Sequence, residues 1–154
     1  INMQSSLPYL DILIFGVIAI FLIFRLKNIL GTKTGFDNSN IKIQGLYLNG
    51  KKNGLWLTNY KSGKLLEECN WKNGKLHGKF LSYHENGQLW ESCTFSDDKL
   101  EGVTLKYRQN GSLFRRHYYK NGRLDGNWFV YLENGNLLQK RIYKQGKLIK
   151  TIKG

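Results

Sequence analysis

The sequence predicts an all-β repeat array, an elongated antiparallel meander of β-hairpins, preceded by one transmembrane α-helix. The first observation is a period of 24 residues: the stretch WKNGKLHGKFLSYHENGQLWESCT, residues 71–94, recurs four times over without insertion or deletion. The second is a set of seven Asn-Gly pairs between apolar-rich runs, and this pair tolerates the positive φ angles of tight hairpin turns. The third is one uncharged apolar run of 13 residues, 12–24, ahead of the array.

The apolar run near the amino terminus has the composition of a membrane-spanning helix. Residues 7–24 are 18 in number, near the lower limit of the roughly 17 to 25 that span a bilayer. A cleaved signal peptide and a buried core helix are the alternatives, but INMQSS lacks the positive charge that precedes a signal sequence. The side chains expected in the membrane are Leu10, Ile12, Leu13, Ile14, Phe15, Val17, Ile18, Ile20, Phe21, Leu22, Ile23 and Phe24.

The charges that flank this run predict its orientation. Arg25, Lys27 and Lys33 all lie on its carboxyl side, and cytoplasmic flanks carry the excess of positive charge. We therefore expect a single-pass protein of the inner (plasma) membrane with its amino terminus outside. The repeats would then lie in the cytoplasm, or on the matrix side if the membrane belongs to an organelle.

The same segment resembles a known amino terminus. In PYLDILIFGVIAIFLIFRLKNILGTKTGFD, an Asp-Ile pair opens the apolar run and an R-L-x-x-x-L-G-x-x-T-G pattern follows it. This is similar to the start of bacterial, chiefly alphaproteobacterial, relatives of the mitochondrial inner-membrane import-motor scaffold. The resemblance implies a similar membrane anchor but no import role, because the sequence that follows is unlike that family's carboxyl-terminal domain. The matching positions are Asp11, Ile12, Arg25, Leu26, Leu30, Gly31, Thr34 and Gly35.

The rest of the chain divides into a linker and the array. Residues 32–40, TKTGFDNSN, are polar and contain Gly, which predicts a short flexible linker between an anchor at 1–31 and repeats at 41–154. Residues 41–48 are expected to form a first, capping strand, and residues 148–153 the closing strand. The repeat units are 47–70, 71–94, 95–118, 119–142 and a partial unit, 143–154.

Each unit carries two strands, and strand alternation sorts their side chains into columns. The second strand, QLWESCTF in the second repeat, places Leu89, Glu91, Cys93 and Phe95 on one side. The first strand, KFLSYH, carries two aromatic columns, and we expect the first of them to pack against neighbouring strands. These columns are Trp56, Phe80 and Trp128, interrupted by Thr104, and Tyr83, Tyr107 and Tyr131, interrupted by Asn59.

Segments such as GKFLSYHENGQL and YKNGRLDGNWFVYLENGNL resemble MORN repeats. They are most similar to the variant found in bacterial YwqK-like proteins, which are often labelled antitoxin components. The resemblance covers about residues 42–154 and implies an elongated β-hairpin sheet used for protein or lipid contacts, with no shared reaction. Asn59, Thr104 and the Asp97-Asp98 turn depart from the pattern and interrupt a continuous aromatic strip, but they keep the fold, since Asp also tolerates such turns.

Positive charge is concentrated in the array. The chain carries +13, of which residues 1–37 hold +1, so residues 38–154 hold +12. This excess favours an anionic neighbour, such as acidic phospholipid, an acidic protein or nucleic acid, and a solvated Lys-rich surface is the alternative. The closing lysines recur every three residues, so we expect them to alternate faces and to attract anions diffusely rather than as one row. They are Lys144, Lys147, Lys150 and Lys153.

The residues that could carry chemistry form no recognisable catalytic or metal-binding set. Cys69 and Cys93 occupy one column one repeat apart, about 10 Å across two strand spacings, so we expect free thiols. We expect His77 in a turn, His84 at a strand end and His117 in the cysteine column, none with a fixed carboxylate or Cys partner. No Gly-Lys-Ser/Thr motif marks a phosphate loop. We expect no enzyme, no cofactor and no metal.

A binding surface is the better hypothesis, built from the aromatic columns and from basic residues on the later second strands. The expected function is a membrane-anchored, non-catalytic scaffold, an accessory subunit of a membrane complex, that binds a protein partner or the anionic membrane surface. The alternatives are a YwqK-like antitoxin that neutralises a partner toxin and, ranked third, a nucleic-acid-binding module. The candidate binding residues are Trp56, Phe80, Trp128, Tyr83, Tyr107, Tyr131, Arg115, Arg116, Lys140 and Arg141.

Overall fold

The part of the chain that the structure describes forms one antiparallel sheet. The computed structural model describes residues 43–154, and its strands follow one another in a meander. The strands are β1 Ile43–Leu48, β2 Lys51–Asn59, β3 Leu65–Lys72, β4 Lys75–Tyr83, β5 Leu89–Ser96, β6 Lys99–Leu100, β7 Gly102–Tyr107, β8 Leu113–Lys120, β9 Arg123–Leu124, β10 Gly126–Tyr131, β11 Leu137–Lys144 and β12 Lys147–Lys153.

The predicted meander of hairpins is confirmed. Ten strands pair in chain order, and the two-residue strands β6 and β9 pair only with β5 and β8. These short strands exist because the later repeats interrupt the ladder at Glu101 and Asp125. In the second repeat the equivalent residue, His77, lies inside the unbroken strand β4. The prediction that His77 sits in a turn is therefore wrong.

The turns along one edge of the sheet reverse the chain with two residues at positive φ. Asn73 and Gly74 have φ angles of 52° and 83°, the pattern that matches the twist of a two-residue hairpin. In the third repeat Asp97 and Asp98 take the same positions, with φ angles of 48° and 67°. The tolerance of Asp for this conformation keeps the repeat frame where the Asn-Gly pair is lost.

The turns along the other edge need only one residue at positive φ. In the second repeat this residue is Gly87, with φ of 88°. His84 N donates to Gln88 O at 2.8 Å and Gly87 N donates to His84 O at 2.8 Å. Asn86 adds a side-chain contact, since its Oδ1 accepts from Gln88 N at 3.0 Å. The Asn of an Asn-Gly pair therefore shapes these turns through its side chain.

The pair Asn53-Gly54 forms no turn, contrary to prediction. It lies inside β2, and Gly54, with φ of 73°, marks a bulge in that strand. Gln44 pairs with Leu57, and Leu46 pairs with Asn53. The chain therefore advances two residues on β1 and four residues on β2 between these pairs, and the two extra residues on β2 form the bulge. A positive φ angle in Gly can kink a strand as readily as it can reverse one.

Hydrogen bonds at both edges hold consecutive repeats in step. At one edge, Gly74 N donates to Lys52 O at 2.8 Å, which ties a turn to the preceding repeat. At the other, Tyr60 Oη donates to Tyr83 O at 2.7 Å. The equivalent side-chain contacts run from His84 to Tyr107 O and from Arg108 to Tyr131 O.

The predicted anchor, its basic flank and the linker lie outside the described residues, as do residues 41 and 42 of the predicted capping strand. Within residues 43–154, no helix has the length and apolar character needed to cross a membrane. The closing strand predicted at 148–153 corresponds to β12.

Candidate binding face

Cross-strand pairing places one row of side chains along a single face of the sheet. Trp56 pairs with Cys69, and Cys69 pairs in turn with Phe80. The same register continues across the later strands. Directly paired residues project to the same side of a sheet. We call this side the aromatic face, and its central row is Trp56, Cys69, Phe80, Cys93, Thr104, His117, Trp128 and Arg141.

In the first repeat, packing shields the central row from solvent. Trp56 is 4% exposed and covers Gly45, where a Cβ would come within 2.1 Å of the indole Cδ2. The indole Nε1 donates to Leu46 O at 3.2 Å. Tyr47 packs edge-on at 5.1 Å between ring centroids, and Lys52 Nζ lies 4.4 Å from the Trp56 ring. This end of the row therefore has its indole buried and its indole donor satisfied.

Two thiols flank Phe80 in the same row. Cys69 and Cys93 are both free and buried, as expected from the strand that separates them. Burial, reinforced by Glu91, raises the pKa of the Cys93 thiol to about 12. Burial also raises the pKa of Cys69. Both thiols therefore stay protonated near neutral pH and pack as small apolar groups.

In the third and fourth repeats the row around Trp128 is built from polar and charged groups. The imidazole of His117 stacks on Trp128 with centroids 5.5 Å apart and planes inclined at 27°. Arg141 Cζ lies 4.7 Å from the same indole, and Arg115 Cζ lies 5.9 Å from it. Trp128 is half-buried, and its Nε1, unlike that of Trp56, has no acceptor among residues 43–154.

His117 is the buried polar residue at the centre of this half. It is 7% exposed, and neither ring nitrogen has a hydrogen-bond partner in the described chain. Burial, with the charges of Lys106 and Arg115, lowers the pKa of His117 to about 4. The imidazole is therefore neutral at physiological pH, and the positive charge beside Trp128 belongs to the two guanidinium groups.

A second row of side chains on the aromatic face changes from negative to positive charge along the sheet. Glu67 pairs with Ser82 and Ser82 with Glu91, and burial together with Glu91 raises the pKa of Glu67. Glu91 then pairs with Lys106, whose Nζ lies 3.2 Å from its Oε1, and Lys106 pairs with Arg115. This second row is thus acidic at Glu67 and Glu91 and basic from Lys106 onwards, while Lys52 adds a positive charge beside Trp56 in the first repeat.

The predicted binding residues divide between the two faces. Trp56, Phe80, Trp128, Arg115 and Arg141 share the aromatic face. The other two basic candidates, Arg116 and Lys140, project to the opposite face, where both pair with Phe129. The basic residues of β8 and β11 therefore do not form one cluster.

The tyrosine column lies at the ends of the first strands. Tyr83, Tyr107 and Tyr131 are half-buried and sit beside register shifts. Their main-chain carbonyl groups accept the inter-repeat hydrogen bonds described above. The residues of this column therefore lie at the contacts between consecutive repeats.

Sequence reasoning placed His117 in the cysteine column but missed its burial, and it missed the charged row. The signal was present in the 24-residue frame, where positions 67, 91 and 115 read Glu, Glu and Arg. Positions 69, 93, 117 and 141 read Cys, Cys, His and Arg. Comparing columns by charge, as well as by aromatic content, would have found the difference between the two halves.

The expectation that the closing lysines alternate faces is wrong for three of them. Lys144 pairs with Lys147, and Ile142 pairs with Lys150. A register shift next to Ile142 adds a residue to β12, so these three lysines share the opposite face and Lys153 lies on the aromatic face. The bulge converts a three-residue spacing into a row.

The arrangement of the aromatic face suits binding. Within residues 43–154, no three His, Cys, Asp or Glu side chains converge as metal ligands. Its second half holds the Trp128 ring and the guanidinium donors of Arg115 and Arg141 on paired strands. Such groups recognise an acceptor by position and charge.

The sequence profile of the family described as MORN repeat variant matches four segments of this chain, residues 52–73, 76–97, 100–121 and 124–145. The segments start 24 residues apart and together cover more than half of the 154 residues. The chain belongs to the MORN repeat variant family. The hairpins of the sheet are its MORN repeats, and they make the chain a repeat-based interaction module. No curated protein matches the chain.

Solved structures add a weak likeness to the MORN repeats. One is a variant of S. aureus TarM in complex with fondaparinux, alpha-GlcNAc-glycerol and UDP, with 14% identity, 80% of this chain and 23% of that chain covered, and a TM-score of 0.29. Another TarM crystal structure has 14% identity, covers 85% and 24%, and has a TM-score of 0.28. The chain spans about a quarter of their length, and a likeness this weak says nothing about function.

Proposed function

We propose that this MORN-repeat chain is a membrane-anchored, non-catalytic scaffold, an accessory subunit of a membrane complex, that binds a protein partner through the aromatic face. The observation that carries the proposal is the set of unsatisfied groups around Trp128. The buried Nε atoms of Arg115 and Arg141 and both nitrogens of His117 have no partner among residues 43–154. Because buried polar groups are normally paired, a face that leaves guanidinium donors and the donor and acceptor of a neutral imidazole unpaired is suited to pairing with another molecule.

The composition and placement of these groups support a protein partner. Trp, Tyr and Arg are the residue types that dominate binding free energy at protein interfaces. Trp128 lies on β10, which pairs with β8 and β11 on its two sides, so the backbone that carries it is held from both directions. Sites carried on regular strands keep their geometry better than sites on loops.

The chemistry of the same face supports binding rather than catalysis. The pKa of Cys93 is raised to about 12, so its thiol is protonated when a nucleophile would need the thiolate. His117 has no nucleophile or carboxylate in hydrogen-bond contact within the described chain. A general base must reach the proton that it removes, directly or through one water.

Membrane attachment rests on the sequence of residues 7–24. The proposal places this segment across the inner membrane, with Arg25, Lys27 and Lys33 and the repeats on the cytoplasmic side. The two free thiols suit a reducing compartment. Carbonate extraction of membranes should leave the full-length chain in the pellet, and its complete release would remove the anchor from the proposal.

Affinity purification of the tagged full-length chain from detergent-solubilised membranes tests the partner. We expect a stoichiometric membrane protein that is lost with Trp128→Ala and kept with Phe129→Ala. These adjacent residues on β10 are both half-buried aromatics but lie on opposite faces, so the second variant is a matched control. Retention of the partner by folded Trp128→Ala would contradict the proposal. A small toxin in place of a membrane subunit would favour the antitoxin alternative.

A further inference from the structure

We propose that the second half of the aromatic face is a carboxylate-binding site, in which Arg115, Arg141 and the indole of Trp128 receive an acidic segment of the partner. This inference rests on the proposed function, because it takes the partner to be a protein. It adds the chemical class that the site recognises and the residues that recognise it.

The site contains donors without acceptors. Neither Arg115 nor Arg141 makes a hydrogen bond or an ion pair with residues 43–154, and the Nε atom of each is buried without a partner. The carboxylates of the described chain that contact a basic side chain meet other residues: Glu91 pairs with Lys106, and Asp97 contacts His77. Two guanidinium charges are therefore held on the same face without a counter-charge from the sheet.

The indole of Trp128 adds a third donor between them. Trp56 Nε1 donates to Leu46 O at 3.2 Å and Trp71 Nε1 donates to Cys69 Sγ at 3.1 Å. Trp128 Nε1 has no such partner in the described residues, although the ring is half-buried between His117 and Arg141. The Nε1 of Trp90 is also without a partner in these residues, but that side chain is 43% exposed, whereas the Trp128 donor lies between His117 and Arg141, where it can meet an acceptor.

Aromatic contacts hold both guanidinium groups beside Trp128. Arg141 Cζ lies 4.7 Å from the Trp128 ring, within the range of a cation–π contact. Arg115 Cζ lies 5.9 Å from the same ring and 4.3 Å from the Phe114 ring. Because the Nε atoms are buried, the terminal Nη groups are the donors that a carboxylate would meet.

The charge pattern of the whole face favours an acidic protein segment over an acidic membrane. A flat anionic surface pressed against this face would also meet Glu67 and Glu91, which lie in the second row of the same face. Like charges oppose that contact. A partner segment can place carboxylates over Arg115 and Arg141 alone and leave Glu67 and Glu91 uncovered.

Fluorescence anisotropy of a labelled hexaglutamate peptide, titrated with the full-length chain in detergent at low salt, tests the site. The variant is Arg115→Gln with Arg141→Gln. The matched control is Arg116→Gln with Lys140→Gln, which removes the same charge from neighbouring positions on the opposite face. We expect the first pair to weaken binding at least about tenfold, as loss of charge-assisted bonds does, and the control pair to weaken it less than about twofold. Circular dichroism confirms that each variant is folded.

Equal weakening by both pairs would show diffuse attraction and overturn the site, as would absence of peptide binding to the wild type. Nanodiscs that contain phosphatidylserine form a second arm. If only these bind and only the Arg115/Arg141 pair weakens them, the ligand is a lipid headgroup and the inference fails. If the purified partner is lost with Trp128→Ala but kept when both arginines are replaced, the scaffold function stands and the carboxylate site alone is wrong.

Discussion

The two halves of the aromatic face share one backbone frame and differ in how they are filled. Around Trp56 the indole donor is satisfied, the ring is buried, and its neighbours on the two sides are Gly45 and the Cys69 thiol. Around Trp128 the equivalent positions are His117 and Arg141, and the indole donor is open. The turns and inter-repeat hydrogen bonds are alike in both. A repeat frame held by its turns therefore lets one half be closed by packing while the other keeps open donors, which is the half that we propose binds a partner.

The largest expected difference between the halves is in stability. Trp56→Ala should lower the free energy of unfolding by about 3 to 5 kcal/mol, because it removes a fully buried aromatic ring. Trp128→Ala removes a half-buried ring and should cost about 1 to 1.5 kcal/mol. Urea denaturation of the full-length chain followed by near-ultraviolet circular dichroism measures both. Equal losses would show that the second half is packed like the first.

The reactivity of the Cys93 thiol tests how well the first half of the aromatic face is buried. Raising the pKa of Cys93 from 9.0 to about 12 lowers its thiolate fraction at pH 8 by about a thousandfold. In a Cys69→Ser variant, Cys93 should react with Ellman's reagent about that much more slowly when folded than in denaturant. The folded rate should rise about tenfold per pH unit. A folded rate close to the denatured one would mean that Cys93 is open to solvent.

His117 makes the second half sensitive to acid. Its pKa is 6.5 when unfolded and about 4 when folded, so the unfolded state binds the proton more tightly. The free energy of unfolding should be unaffected by His117 above about pH 6.5 and should fall as the pH drops towards about 4, by about 2 kcal/mol after allowance for screening.

The matched variant for this prediction is His117→Cys, which restores the residue found at positions 69 and 93. It should lose the acid-dependent fall. Glu67, whose pKa is raised by burial, acts in the opposite direction as the pH falls and is present in both proteins, so the difference between the two pH profiles isolates His117. Parallel profiles would show that His117 does not carry the effect.

The smallest expected effect is at the boundary between the halves. Glu91→Gln removes the ion pair between Glu91 and Lys106. Their side chains are 19% and 29% exposed, respectively, so the substitution should lower the free energy of unfolding by about 0.5 to 1 kcal/mol. The cost should shrink at high salt. Glu68→Gln, a charge change on the opposite face next to Glu67, is the control and should change stability less. A larger cost for the control would show that the Glu91 pair does not stabilise the boundary.

The fold was predictable because its determinants are local and periodic. The residues at turn positions, such as Asn73-Gly74, act within a few residues, and the period of 24 aligns them. The bulges were not predictable, because Asn53-Gly54 and Asn73-Gly74 are the same dipeptide in different ladders. Only the pairing with the next strand decides whether a Gly at positive φ kinks the chain or reverses it.

The candidate site was predictable in composition but not in geometry. Trp128, Arg115 and Arg141 were identified from columns, yet Arg116 and Lys140 were grouped with them although they project to the other face. His117 was placed in the cysteine column, but its burial, which depends on rings from neighbouring strands, was not predicted. In a sheet of one layer, the burial of a side chain depends on the size of its neighbours on the same face. The alternation of side chains along a strand does not reveal those neighbours.

The hydrogen bonds between successive turns have a consequence for how such a sheet can change over generations. Since Gly74 bonds to Lys52 and Gly122 bonds to Leu100 in the same way, each unit presents the same junction before and after it. Removing or duplicating a whole unit preserves every junction, whereas removing one residue would turn the following strand over. Deleting residues 71–94 would bring Glu67 to the place of Glu91, opposite Lys106. Loss or duplication of a whole unit can therefore move the point at which the face changes charge, which a single substitution does less readily.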